Sequence, residues 1–332
     1  MAKAWTLKSR PAGMPNHENF ELVDLPDAPL GPNQVRVANS WLSVDPYMRG
    51  RMVDRESYVP PFQIGEPMQG GAVGRIIESN HPDYAEGDLV QHMAGWRDVS
   101  VAEPMAMLTK LPETGLPDHL WLSNMGLTGA TAWFGLMKVA SAKPDDVVFV
   151  SAAAGAVGSA VIQIAKAKGM KAIGSAGGPE KCAWVRELGA DACIDYKAGP
   201  VLPQLREAAP NGISVYFDNV GGEHLDAALA CSVPFSRYAM CGMIEVYNDF
   251  EKGVSQEMHH LMMLVGLRIN MRGFIVSDFM ADFPEFHQDM GAMIAAGAVK
   301  SRETVMDGIE SMPDAFLGLF SGKNTGKMLV KV

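Results

Sequence analysis

An α/β architecture, in which a doubly wound parallel sheet is inserted into a β-rich domain, is predicted by three observations on this chain of 332 residues. The first is the stretch Asp145 to Ser159, an apolar strand that runs straight into a turn of small residues and then a helix. The second is the alternation of strand-like and helix-like segments that follows it. The third is the β-type patterning of both flanks, punctuated by Pro, Gly, Asn and Asp.

Taken in order, Phe20 to Val23, Gln34 to Ala38, Gly71 to Ile77 and Asp88 to Met93 alternate or are apolar and read as strands of a small β-barrel. Gly31-Pro32-Asn33 and Glu86-Gly87-Asp88 are turns between strands. A helical pattern starts at Asp118, passes through Leu120 to Ser123, breaks at Gly126 and resumes from Thr128 to Met137. Val147 to Val150 is a continuous run of β-branched and aromatic residues, as a parallel strand buried on both faces requires. A helix from Ala156 to Lys168, stopped by Gly169, and a strand from Met170 to Ser175 complete a βαβ unit. Helices Pro179 to Leu188, Leu202 to Ala208 and Glu223 to Ala230 then alternate with strands Ala192 to Tyr196, Ile213 to Asp218 and Arg237 to Met243. Arg268 to Val276 reads as one more strand and Asp282 to Ala296 as a helix. The tail returns to β patterning, with one short helix from Pro313 to Phe320, and is expected to rejoin the first domain. The division is 1–117 with 299–332 against 118–298, and the soft prior of about 150 residues per domain also suggests two.

Ala152, Gly155 and Gly158 occupy the three positions where a dinucleotide fingerprint carries Gly, with Ala as a variant in the first. Small residues there let a pyrophosphate reach the free N–H groups at the positive end of the following helix; a helix-packing turn without ligand is the alternative. A binder of the non-phosphorylated dinucleotide places a carboxylate about 20 residues further on, for the ribose 2′-hydroxyl. Here that count reaches Ser175 and then Ala176-Gly177-Gly178-Pro179. Lys181 follows in the first turn of a helix, where a cation opposes the dipole unless an anion such as a 2′-phosphate compensates it. NADPH is therefore expected over NADH. Two alternatives stand beside this: Glu180 turned toward the ribose, and Lys181 as an ordinary solvated lysine.

The net charge of −10 argues against nucleic acid or an anionic membrane as partner and leaves a small molecule. The four cysteines, Cys182, Cys193, Cys231 and Cys241, show no paired spacing. With no apolar run near the 18 or so residues of a membrane helix and no secretory pattern after Met1, a reduced cytoplasmic setting is expected. The first domain holds no cysteine, and His17, His81 and His92 lack partners at metal spacing; the His259-His260 pair reads as a wet helix face. No metal site is expected. Without a Lewis acid, the easier hydride acceptor is a C=C bond conjugated to a carbonyl.

Six ordered motifs span nearly the whole chain: Val44 to Arg49 (VDPYMR), Gly126 to Gly135 (GLTGATAWFG), Ala152 to Ser159 (AAAGAVGS), Tyr216 to Gly222 (YFDNVGG), Cys241 to Asn248 (CGMIEVYN) and Gly322 to Lys327 (GKNTGK). Together they resemble the zinc-free double-bond reductases of the medium-chain dehydrogenase/reductase superfamily, which include prostaglandin reductases, plant alkenal reductases and bacterial curcumin reductases. The resemblance implies a Rossmann cofactor domain inserted into a GroES-like barrel, NADPH as cofactor, an enone or enal as substrate and a homodimer. Gly155, Ala156, Val157 and Gly158 would hold the pyrophosphate, and Lys181 and Tyr196 the 2′-phosphate end. Asn219, Thr128 and Asn324 would be further cofactor contacts. Cys241, Gly242 and Tyr247, with Phe274 and Val276, would line the nicotinamide half. Read without the family, Asn219 and Asn324 are turn residues beside Gly.

One departure concerns the proton donor. Several eukaryotic members carry a tyrosine shortly before the strand matching Arg268 to Phe274, where this chain has Gly266. The remaining candidates are Tyr58, in a Pro-flanked loop able to cover substrate, then Tyr247, then Tyr47. A phenol suits the task because its pKa near 10 keeps it protonated at neutral pH. The expected reaction delivers hydride to the β-carbon and a proton to the α-carbon. Met48, Met52 and Met68 are candidates for an adaptable apolar pocket, against plain core filling. A zinc-free quinone reductase is the alternative activity, and a nucleotide-binding protein without turnover the alternative of another class.

Overall fold

The computed structural model describes residues 1–104, 107–249 and 257–332. Strand β1 (Ala2–Leu7) pairs antiparallel with β2 (Phe20–Leu25). Strand β3 (Val35–Ser43) is followed by a single helical turn, α1 (Met48–Arg51), and then by β4 (Ala72–Ser79), β5 (Leu89–His92), β6 (Val99–Ala102) and β7 (Thr109–Lys110). The short β1 strand is absent from the expectations above; its AKAWTL alternation is completed only by pairing with β2, which lies beyond local reading.

Helix α2 (Leu127–Phe134) widens into a π-turn over Gly135–Val139 where a continuous α-helix was expected. The cause is local. A Cβ on Gly135 would stand 2.5 Å from the Phe217 ring and 2.6 Å from the Phe274 ring, so the chain swings out around two aromatic side chains.

The alternation then follows as predicted: β8 (Val147–Val150), α3 (Ala156–Ala167), β9 (Lys171–Ala176), α4 (Pro179–Glu187), β10 (Ala192–Asp195), α5 (Val201–Ala208), β11 (Ile213–Asp218), α6 (Gly222–Ala230) and β12 (Ser232–Met240). After α7 (Met263–Gly266), β13 covers only Asn270–Gly273 rather than Arg268 to Val276, because Phe274 turns into the core and a 3-10 turn starts at Val276. Strand β12 stops at Met240 instead of Met243, since the N–H groups of Cys241 and Gly242 both donate to the Asp218 carbonyl. Helix α8 (Phe283–Ala295), β14 (Glu303–Asp307), α9 (Met312–Phe320) and β15 (Lys327–Lys331) complete the chain.

Among the described residues two larger sheets form. One is all parallel, in the order β10-β9-β8-β11-β12-β13. The other runs β14-β15-β3-β4-β5-β7, with β6 also on β3; the tail strand β15 is antiparallel to β3, so the end of the chain is hydrogen-bonded into the sheet of its beginning. Met48, Met52 and Met68 are fully buried with Trp96, Phe316 and Val330. They are core filling, each removing about 2 kcal/mol worth of apolar surface from water, which is the second of the two readings open for them.

Candidate active site

In the parallel sheet, β8 and β11 are neighbours whose onward connections run to opposite sides, and such a crossover leaves a crevice beyond the carboxyl ends of the strands. Ser151 and Asn219 close its floor. The Asn219 N–H donates to Ser151 Oγ and its Nδ2 to the Ser151 carbonyl, both at 2.8 Å.

The Gly-rich turn stands on this floor. Ala152 takes φ +50°, which explains why Gly is usual there and leaves this chain a local strain of about 1 kcal/mol. A Cβ on Gly158 would lie 2.4 Å from the Ala152 carbonyl, so this glycine serves close helix–strand packing. Gly155 is different. Its Cβ would meet only Ala152 O, at 3.2 Å, so packing alone does not forbid a larger side chain. It is the N-cap of α3 with no side-chain cap, and Ala156 and Val157 behind it are half-buried. The free N–H groups of the first turn can therefore take an anion. The tail crosses beside them: Gly326 N–H donates to Ala154 O at 2.8 Å and bridges to Gly155.

At the end of β9, the Gly177-Gly178 turn lies under Tyr196 and Lys197; a Cβ on Gly177 would sit 2.5 Å from Tyr196 Oη and 3.0 Å from Lys197 Cε. Burial, and then the neighbouring Lys197 charge, lower the Lys181 pKa. No carboxylate pairs with either lysine among the described residues. The acid nearest in sequence to Lys197, Asp195, is committed to backbone, accepting from Gly178 N–H at 2.8 Å and Lys197 N–H at 3.0 Å. Two ammonium groups that repel each other over a glycine turn suit a phosphate. Lys197 is a residue the sequence reading missed; its position immediately after Tyr196 at a strand end is the signal that could have found it. Behind them, His224 Nε2 and Ser175 Oγ are 2.8 Å apart, and the Tyr196 ring stands edge-on to the imidazole, whose pKa burial lowers to about 4.

The other end of the crevice gathers the three candidate phenols. Tyr247 Oη lies 2.9 Å from where a Cβ of Gly242 would be, a close approach that needs glycine. Burial raises the Tyr247 pKa, and charges on Cys241 and Tyr58 would raise it further. Burial likewise raises that of Tyr47, whose hydroxyl is buried without a hydrogen-bond partner among the described residues. Tyr58 is 62% exposed, as a covering loop requires, but its hydroxyl end is desolvated enough to raise its pKa against the pull of Arg51. The Cys241 thiol is pushed up to about 12 by burial and then by Asp218. Asp218 is fully buried: Oδ1 accepts from Ser151 Oγ, Tyr216 Oη and the N–H groups of Val220 and Gly221, while Oδ2 has no hydrogen-bond partner among the described residues.

The remaining expected contacts are tied up locally. Thr128 Oγ1 donates to Ser123 O at 3.0 Å, and Asn324 Nδ2 to Gly326 O at 2.8 Å. Phe274 packs into the core edge-on to Phe217, with Val276 half-buried against the same cluster. A buried ion pair, unforeseen from sequence, joins the tail to the Tyr47 motif: Lys327 is 3% exposed, and its Nζ donates to Asp45 Oδ1 at 2.7 Å and Val44 O at 2.9 Å.

Among the described residues no group of three or more His, Cys, Asp or Glu side chains is placed to hold a metal ion. His92 is a satisfied core residue, 3.0 Å from Asn39 Oδ1 through Nε2 and accepting from Ala94 N–H through Nδ1. His260 pairs with Asp226 at 2.8 Å.

Residues 3–111 match the family described as the N-terminal domain of oxidoreductase, and residues 156–293 the family described as zinc-binding dehydrogenase. The chain is 40% identical to the NADPH-dependent curcumin reductase of Escherichia coli (strain K12), covering 99% of this chain and 96% of that one. It is also 40% identical to the NADP-dependent 2-alkenal reductase of Nicotiana tabacum, over 98% and 96%. The crystal structure of CurA in complex with NADPH from Vibrio vulnificus superposes with a TM-score of 0.93 at 39% identity, covering 99% of both chains. With full-length similarity of this order, the parallel-sheet crevice and the second sheet domain are those of a known group, and the chain belongs to the zinc-free, NADP-dependent double-bond reductases of the medium-chain dehydrogenase/reductase superfamily.

Proposed function

We propose that the crevice binds NADPH and reduces the C=C bond of α,β-unsaturated ketones and aldehydes. The observation that carries this reading is the pairing of a Lys181–Lys197 end, where neither ammonium has a carboxylate partner among the described residues, with a cluster of protonated phenols at the other end of one crevice. The first-turn amides at Gly155, Ala156, Val157 and Gly158 take the pyrophosphate, Lys181, Tyr196 and Lys197 the 2′-phosphate, and the amide oxygens of Asn219 and Asn324 serve as acceptors. Thr128, Cys241, Gly242, Phe274 and Val276 bound the nicotinamide half. Bound NADPH supplies the hydride for the β-carbon. Tyr58 delivers the proton to the α-carbon, and the Tyr47 and Tyr247 hydroxyls donate to the developing enolate oxygen, where preorganised donors lower the barrier most. An NADPH-consumption screen over enals, enones and quinones with product identification tests this. A saturated carbonyl product is expected; turnover confined to quinones, or tight NADPH binding with no oxidation across the panel, would contradict it.

The division into 1–117 with 299–332 and 118–298 belongs to the same reading, as does a homodimer. Supporting the dimer, β13 is an edge strand of the parallel sheet, and Met262 and Val265 beside it are 76% and 71% exposed. Light scattering would give twice the chain mass. A cytoplasmic setting, for which fractionation is the test, is supported by four cysteines that are all free.

A further inference from the structure

We propose that Arg51 is the positioning residue of the proton-donating end of the crevice: it holds the loop that presents Tyr58 and places a positive charge, with no carboxylate partner among the described residues, beside the Tyr47 and Tyr58 hydroxyls. This rests on the reading of Tyr58 as proton donor.

Tyr47 is the N-cap of α1 and Arg51 its last residue, with both in helical backbone, so the two stand at i and i+4 on one face of a single turn. Arg51 is 7% exposed. Its Nε donates to Pro60 O at 2.9 Å, its Nη2 to Gln69 Oε1 at 2.7 Å, and its Cζ lies over the Phe62 ring, 4.1 Å from the centroid. The Arg51 carbonyl accepts from Phe62 N–H at 2.7 Å. One residue thus fastens positions 60 and 62 of the loop that carries Tyr58.

Among the described residues every hydrogen-bond partner it has is neutral. Burying a guanidinium among neutral acceptors is a poor way to gain stability, since an apolar side chain of similar volume fills such a place at less desolvation cost. A charge kept there has electrostatic use, and the two phenols are the groups that feel it: Arg51 opposes the burial and the Asp45 charge that raise the pKa values of Tyr47 and Tyr58. The same field favours negative charge on an oxygen held by the Tyr47 hydroxyl, which is what forms when a conjugated carbonyl accepts hydride at its β-carbon.

The test is a double-mutant cycle with Arg51→Gln, Tyr58→Phe and the double variant, reading kcat on a simple enone and the NADPH Kd. Each single change is expected to lower kcat by about 10- to 100-fold with the Kd within about twofold, and the double variant to be no worse than about threefold below the weaker single, because Arg51 acts through Tyr58. Arg51→Lys, which keeps the charge but not the fork on Pro60, is expected to fall between wild type and Arg51→Gln. It replaces Arg51→Gln in the cycle should that variant fail to melt cooperatively. Losses that multiply in the double variant, or Arg51→Gln at wild-type kcat, overturn the role given to Arg51 while leaving Tyr58 as donor. Tyr58→Phe at full turnover removes the donor reading, and this inference with it.

Discussion

The Lys181 ammonium donates to the Gly322 carbonyl at 2.7 Å, joining the first turn of α4 in the cofactor domain to the tail loop that crosses the Gly-rich turn. Nζ has three protons, so the same group can hold the tail and a phosphate together. Lys181→Ala is expected to weaken NADPH by about 10- to 100-fold, the range of one charge-assisted hydrogen bond partly open to water, and to leave NADH within about twofold. Fluorescence titration of the two cofactors checks it, with Lys197→Ala as a smaller effect of the same sign. Equal losses for both cofactors would place Lys181 away from the 2′-phosphate.

The parallel sheet is legible in the sequence because burial on both faces writes itself as Val147 to Val150 and because each βαβ unit is local. The Gly-rich turn is legible for the same reason: Gly155 and Gly158 are neighbours in chain and in space. What the sequence hides is made by distant pairs. Lys327 reaches Asp45 only after β15 has joined β3, 282 positions away, and nothing near either residue announces the pairing. Tyr47, Tyr58 and Tyr247 are visible singly, yet their convergence depends on the two domains meeting. The methionines left two readings open because a flexible apolar side chain reads alike in a pocket and in a core.

The Lys327–Asp45 pair is nearly dry, with Ser43 Oγ donating to the second carboxylate oxygen at 2.5 Å. Removing one partner strands the other. Lys327→Met is expected to destabilise by about 3 kcal/mol, the lower part of the range for a broken buried pair, while Lys327→Met with Asp45→Asn recovers most of it. Chemical denaturation of the wild type and the two variants measures this; a double variant as unstable as the single would mean the loss lies in packing.

Turnover should be flat in pH across the neutral range if a phenol is the acid. Burial holds Tyr58 above its ordinary value near 10, so the donor stays protonated and kcat falls only as the pH passes above 10. Cys241, pushed up to about 12, should resist alkylation at pH 8, where only about one thiol in ten thousand is ionised. An alkaline limb near pH 8 that disappears in Tyr58→Phe would contradict the first expectation, and rapid modification of Cys241 the second.

Two buried histidines set an acid limit on stability. His224 is lowered to about 4 and His92 to about 3, each chiefly by burial, so both are neutral in the folded chain while the unfolded chain binds their protons near pH 6.5. Because the unfolded state then holds more protons, stability is complete above about pH 6.5 and is lost as the pH falls toward 4 for His224 and 3 for His92. Melting temperature against pH should therefore drop below 6.5, and His224→Asn should flatten the part of the curve between 6.5 and 4. An unchanged slope would mean that carboxylates alone govern the acid limb.

Ala152 offers the opposite sign of effect. At φ +50° its Cβ crowds the backbone, and Gly relieves that crowding but gives the unfolded chain more freedom. The relief, 1–2 kcal/mol for a left-handed residue, exceeds the roughly 0.5–1 kcal/mol entropic loss. Ala152→Gly is therefore expected to stabilise by up to about 1 kcal/mol in denaturant titration. NADPH affinity should be unchanged, because the turn contributes backbone rather than this methyl group. Weaker NADPH binding in Ala152→Gly would mean that the methyl group packs against the cofactor.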